Sequence, residues 1–178
     1  VVAPENVMSD LLTVYPLMDV HFGMLAWGKE TGDVDYDMGL ATADMRYAFA
    51  KVSTLTPPSE DAILLIGGDF FHADDNRAET PQSKHKLDVD GRQFKVLDCG
   101  VALVSEVTER LLCKHRNVTI RVLRGNHDEH AHMVLTFALS ERYRNEPRVT
   151  VEKTPRDIFM TQWGKCLISA HHGDRAKP

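Results

Sequence analysis

Four short groups of acids, amides and imidazoles recur along the chain: Asp19-Val20-His21, Asp69-Phe70-Phe71-His72, Asn126-His127-Asp128 and the pair His171-His172. Carboxylate and imidazole together suit Mn, Fe or Zn, and the Asn126 amide adds a further hard oxygen donor. The cysteines, Cys99, Cys113 and Cys166, form no C-x-x-C pair, which argues against a structural zinc or iron–sulfur site. An Asp can bridge two cations through its two oxygens, and two cations about 4 Å apart clamp the attacking and leaving oxygens of a phosphate ester. His127, one position after a candidate ligand, is then placed to stabilise or protonate the leaving oxygen as a general acid. Taken singly, each group also fits a plain turn, an Asx-turn at Asn126, or solvated histidines at a chain end. Their joint occurrence at the ends of predicted strands carries the functional reading.

Those strands must position the groups. Residues 1–10 read as a flexible lead-in. A strand is expected from Leu11 to Val20, with Pro16 assigning it an edge or bulged place, and alternation puts the side chains of Asp19 and His21 on one side. The glycine-rich segment 21–37 reads as a loop, and Met38, Thr42, Met45, Phe49 and Val52 space a helix over 36–55. Residues 61–67 form a continuous apolar run suited to a strand covered on both faces. Segment 73–93 is a long polar loop. Phe94 to His115 is an amphipathic helix, Val118 to Leu123 a strand, and Met133 to Tyr143 a helix. His130 and His132 read as helix-face residues. Three strands follow over 148–152, 157–163 and 165–170. Alternation of strand and helix implies an α/β domain with a parallel component, in which sites gather at the carboxyl ends of strands. His85 and His115 carry no expected site role, and Met38, Met45, Cys99 and Cys166 read as core packing.

Composition narrows the function class. The 178 residues are 43% hydrophobic, enough for one globular domain. Net charge is -5, which excludes a globally basic nucleic-acid binder but not DNA, because divalent cations would offset carboxylates locally. Three scattered cysteines point to a reducing, cytoplasmic setting, and no apolar run reaches the roughly 20 residues that a membrane span requires. The chain starts at Val1 and stops after His-His-Gly-Asp-Arg-Ala-Lys-Pro, so it reads as a piece of something longer.

Asp19-x-His21, Gly68-Asp69-x-x-His72, Gly125-Asn126-His127-Asp128 and a later His resemble, in order, the motifs of the calcineurin-like metallophosphoesterases. Gly68-Asp-Phe-Phe-His72 is nearest to the SbcD-like DNA-repair exonuclease branch. The resemblance spans residues 19–172. It implies an α/β fold with a double β-sheet core flanked by helices, forming a single domain over 11–178, and a centre of two divalent ions, with Mn the first candidate and Fe or Zn the others. One ion would take Asp19, His21 and bridging Asp69; the other would take Asp69, Asn126 and a histidine of the final pair, with His172 favoured over His171 because it precedes Gly173. His127 matches the family's catalytic histidine and His72 the second histidine near the phosphate, with Asp128 expected to orient His127. The family's closing Gly-His-x-His motif is absent after His172, so the domain is expected to be incomplete at its C-terminus.

Two functions follow from the resemblance. The first is a metal-dependent phosphoesterase, foremost a phosphodiesterase such as a DNA exonuclease, with a phosphatase acting on small or protein substrates as the alternative; the second is a non-catalytic subunit of the same fold that binds a protein or nucleic-acid partner. A homodimer or partner subunit is compatible with either. Retention of Asp19, His21, Asp69, Asn126 and His127 favours the enzyme. Arg77, Lys84, Lys86 and Arg92 are candidate phosphate contacts for DNA, although a solvated loop of mixed sign accounts for them as well.

Overall fold

The structure is a computed structural model and describes residues 1–32 and 34–175; the last three residues of the C-terminal stretch lie outside the described residues. Strands β1 (Met8–Leu17), β2 (Ser59–Ile66), β3 (Asn117–Val122) and β4 (Val149–Val151) form one parallel sheet in the order β1-β2-β3-β4. A helix follows each of the first three: α2 (Met38–Leu55) after the short turn α1 (Gly28–Thr31), then α3 (Gln93–Leu112) and α4 (Ala131–Arg142). The last strands, β5 (Ile158–Trp163) and β6 (Cys166–His171), pair antiparallel as a separate two-stranded sheet. The expected α/β class with a parallel sheet is what the chain adopts. Among the described residues no helix is long and apolar enough to cross a membrane.

Strand periodicity explains the layers. On β2, Ala62, Leu64 and Ile66 face the helices, while Ile63 and Leu65 face the other way. The helical side collects Met38, Met45 and Phe49 from α2, Val104, Val107 and Leu111 from α3, and Leu135 and Leu139 from α4. Beneath the opposite face lies a smaller cluster of Ile63, Leu65, Leu123 and Phe159, the last contributed by the β5–β6 hairpin. The hairpin's outward side chains Ile158, Met160 and Leu167 are exposed. Arg121, only 1% exposed, points to the hairpin side, where its guanidinium donates to the carbonyls of Thr154 and Arg156.

Several expectations are corrected. The lead-in is shorter than residues 1–10, because β1 starts at Met8, which pairs with Ser59 before an irregularity up to Leu12. Its far end is also earlier: β1 stops at Leu17, and Asp19 and His21 take left-handed φ values of 49° and 48°. Alternation therefore does not set their direction. Pro16 does sit on an edge strand. Asp37 caps α2 by accepting from the Leu40 N–H at 2.7 Å, so that helix starts at Met38. Cys166 is exposed rather than packed in the core; Cys99 is half-buried against it. His115, just past the end of α3 with its N–H donating to the Leu111 carbonyl at 2.8 Å, is fully buried.

Candidate metal centre

The loops after β1 and β2 run side by side. The His21 N–H donates to the Asp69 carbonyl at 2.9 Å, that of Phe22 to Phe70 at 2.7 Å, and that of His72 to Phe22 at 3.0 Å. This pairing resumes the sheet after a kink, and the kink is made by Asp19, His21 and Asp69, all at φ near +49°. Non-glycine residues in that region are strained, and such strain persists only where surrounding structure enforces it. Phe22, Phe70 and Phe71, all fully buried, anchor the loops beneath, and Gly100 of α3 leaves room for the Phe71 ring.

The loop after β3 closes against this pair through Asp128. Its carboxylate accepts from the N–H groups of Gly125 (2.9 Å), Asp69 (3.2 Å) and Phe71 (3.2 Å), tying two strand ends together. Asp128 is fully buried, and burial pushes it up to about 6 against the lowering effect of those donors. The expected role of orienting His127 falls elsewhere: His127 Nδ1 lies 2.7 Å from the His72 carbonyl, and its backbone N–H donates to Asp69 Oδ1 at 2.8 Å. Gly125 is required by contact, since a Cβ there would stand 1.8 Å from Asp69 Oδ1.

Two donor groups result, and all eight expected site residues lie at these strand ends. His21, His72 and His127 form one group; Asp19, Asp69 and His172 form the other, with the ligand atoms of each within 4.8 Å of one another. His172 Nε2 is 3.3 Å from Asp69 Oδ2 and 3.1 Å from Asn126 Oδ1. His171 points away as an exposed residue of β6, so the geometry selects His172. The grouping differs from the implied partition: His21 falls with His72 and His127, which were expected on the substrate side, and Asp19 falls with Asp69 and His172, while Asn126 meets that second group through His172. The Nδ1 of His21 lies 3.2 Å from that of His72 and its ring stands edge-on to His127, 4.7 Å between centroids.

This crowding controls protonation. Burial, with His21 and His127 alongside, lowers the His72 pKa to about 4. His21 is lowered by burial first and by His127, while Asp69 and Asp19 oppose that. Neutral imidazoles with nitrogens turned toward one another, beside paired carboxylates, are the donor set a divalent ion requires. The residues present fit such ions.

Some site-shaping residues gave no sequence signal beyond polarity. Asp74 accepts from the N–H groups of His130 (2.7 Å) and Ala131 (2.8 Å), satisfying the start of α4. Arg124 joins Asp174 (2.9 Å), Glu129 (3.4 Å) and Asp157 (3.5 Å) at the rim. A cleft of about 550 Å³ opens beside Asn126 and His127, and His85, assigned no role from sequence, is on its wall with Gln82 and Ser83. No family model, curated protein or solved structure matches the chain.

Proposed function

We propose that the chain is a metal-dependent phosphoesterase of the calcineurin-like metallophosphoesterase type, which cleaves phosphodiester bonds at a dinuclear centre. The observation that carries this reading is the adjoining pair of donor groups, three histidines beside Asp19, Asp69 and His172, gathered from four separate strand ends. The two-sheet arrangement with Phe159 between the sheets agrees with the core that the resemblance implies. Two divalent ions held there, Mn first and Fe or Zn next, would supply Lewis acidity and lower the pKa of water toward neutrality.

The chain's own groups do the rest. A carbonyl oxygen only accepts, so the Nδ1 of His127 carries its hydrogen toward the His72 carbonyl. The Nε2 atom is then left as the working position for proton transfer at the leaving oxygen. Burial favours the neutral form of His72, which leaves a ring nitrogen free to accept. Asp69 ties these tasks together, with Oδ1 on the His127 N–H and Oδ2 facing His172.

The test is Mn-dependent hydrolysis of bis(p-nitrophenyl) phosphate, a phosphomonoester, and single- and double-stranded DNA, with elemental analysis of the protein. Diester turnover that a chelator stops is expected. No turnover of any substrate, together with no bound metal, overturns the reading.

A further inference from the structure

The segment after His72 is folded, not a plain loop. Glu79 and Lys86 form an antiparallel bridge, the Leu87 N–H donates to the Ala78 carbonyl at 2.9 Å, and that of Thr80 to His85 at 2.9 Å. Thr80 Oγ1 accepts the His85 N–H at 3.0 Å and Lys84 takes a left-handed φ of 57°, which turns the chain back on itself. The tip of this small hairpin is latched to the site, because Gln82 Nε2 donates to Glu129 Oε1 at 2.5 Å. Its inner side, with Thr80, Ser83, His85 and Leu87, faces Asn126 and His127 across the 550 Å³ cleft. Among the described residues the side chains of Ser83 and His85 make no hydrogen bond.

Charge distinguishes what this cleft would take. Arg77 is paired with Asp75 at 2.6 Å, and Lys86 and Lys84 both approach Glu79, at 3.2 and 3.9 Å. Arg92 lines a different, small cleft beside Gly23 and Gln93. A polyanion is held by a run of unpaired cations whose counterions are released on binding, and the cleft wall offers none. Opposite Asn126 and His127 it offers the hydroxyls of Thr80 and Ser83, the Gln82 amide, the His85 imidazole, the Leu87 side chain and the Asp174 carboxylate, which is paired with Arg124, in a volume suited to one ligand group of drug size.

We infer that the 78–87 hairpin is the specificity wall, with Ser83 and His85 binding a single nucleoside-sized, hydrogen-bonding group carried by the phosphodiester. This rests on the phosphoesterase reading. Two esters separate the claims: methyl p-nitrophenyl phosphate, which carries little beyond the reacting centre, and p-nitrophenyl thymidine 5′-phosphate, which adds a nucleoside. Water adds to phosphorus in both, the bond to the nitrophenolate oxygen breaks, and methyl phosphate or thymidine 5′-phosphate remains with one proton released.

With the Mn-loaded full chain, Ser83→Ala and His85→Ala should each lower the ratio of kcat/KM for the nucleoside ester to that for the methyl ester about threefold to tenfold, the loss of one hydrogen bond. The fall should lie in KM. Turnover of neither ester by the unaltered protein overturns the phosphoesterase reading, and this inference with it. Turnover of both with an unchanged ratio in both variants overturns this inference alone, as does a single-stranded oligonucleotide that outcompetes the nucleoside ester and weakens steeply with salt.

Discussion

At the amino-terminal end of the parallel sheet, His115 is sealed from solvent and both ring nitrogens are occupied: Nε2 meets Tyr15 Oη at 2.7 Å and Nδ1 meets Ser59 Oγ at 2.7 Å. Tyr15 Oη continues to Thr56 at 2.8 Å, and Ser59 to Thr13 at 2.9 Å. At the carboxyl end, His21 and His72 turn nitrogen toward nitrogen, and His172 faces a carboxylate and an amide oxygen. Burial lowers the pKa of His115 at one end and of His21 and His72 at the other. One end satisfies the ring with neutral hydroxyls and so contributes rigidity; the other brings together donor atoms that could hold a metal ion. Buried histidine is therefore a signal only when its partners are also acceptors or other imidazoles.

Substitutions at the two ends should separate in kind. His127→Ala should cut kcat about 10²- to 10⁴-fold on a phosphodiester, read by steady-state rates. Asp128→Ala should lower stability by about 2–4 kcal/mol in urea denaturation, because it strands three buried N–H donors. His172→Ala should weaken Mn binding tenfold or more by calorimetric titration, whereas His171→Ala should leave it unchanged; equal effects would reverse the choice between them.

At the quiet end the expected change is smallest. His115→Gln should cost about 1–3 kcal/mol near neutral pH, with no effect on Mn affinity. Burial lowers the His115 pKa below 6.5, so on acidification the unfolded chain takes up the proton before the folded state does. The stability contributed by the neutral ring is complete above pH 6.5 and is lost as pH falls toward the folded value. Thermal melts of the two proteins should accordingly converge below pH 6.5; a constant difference would show that His115 does not titrate on unfolding.

Legibility from sequence followed how local each cause was. The run Ala62 to Ile66 and the spacing of Met38, Met45 and Phe49 reported their own burial, and the strands and helices were placed within a few residues. Ligand types and their order along the chain were also visible. The left-handed turns at Asp19, His21 and Asp69 were not, since hydrogen bonds between two loops enforce them and alternation gave no hint. The same holds for His115, whose partners Tyr15 and Ser59 lie 100 and 56 residues away. Asp128 looked like a partner for His127 because it is the next residue in sequence; its carboxylate instead accepts from the N–H groups of Gly125, Asp69 and Phe71.

The β5–β6 hairpin couples the site to the smaller sheet. His172 follows directly on β6, and that hairpin is seated on the parallel sheet chiefly through Phe159, with Ile168 and Ala170 partly buried beside it. A two-stranded ribbon has little stability of its own. His172 thus adjoins the smaller sheet, so that packing at Phe159, remote from the donor atoms, bears on where that imidazole lies. Opening of the hairpin would leave the other donors assembled and His172 withdrawn, a half-built centre reached by local unfolding well below the cost of unfolding the domain.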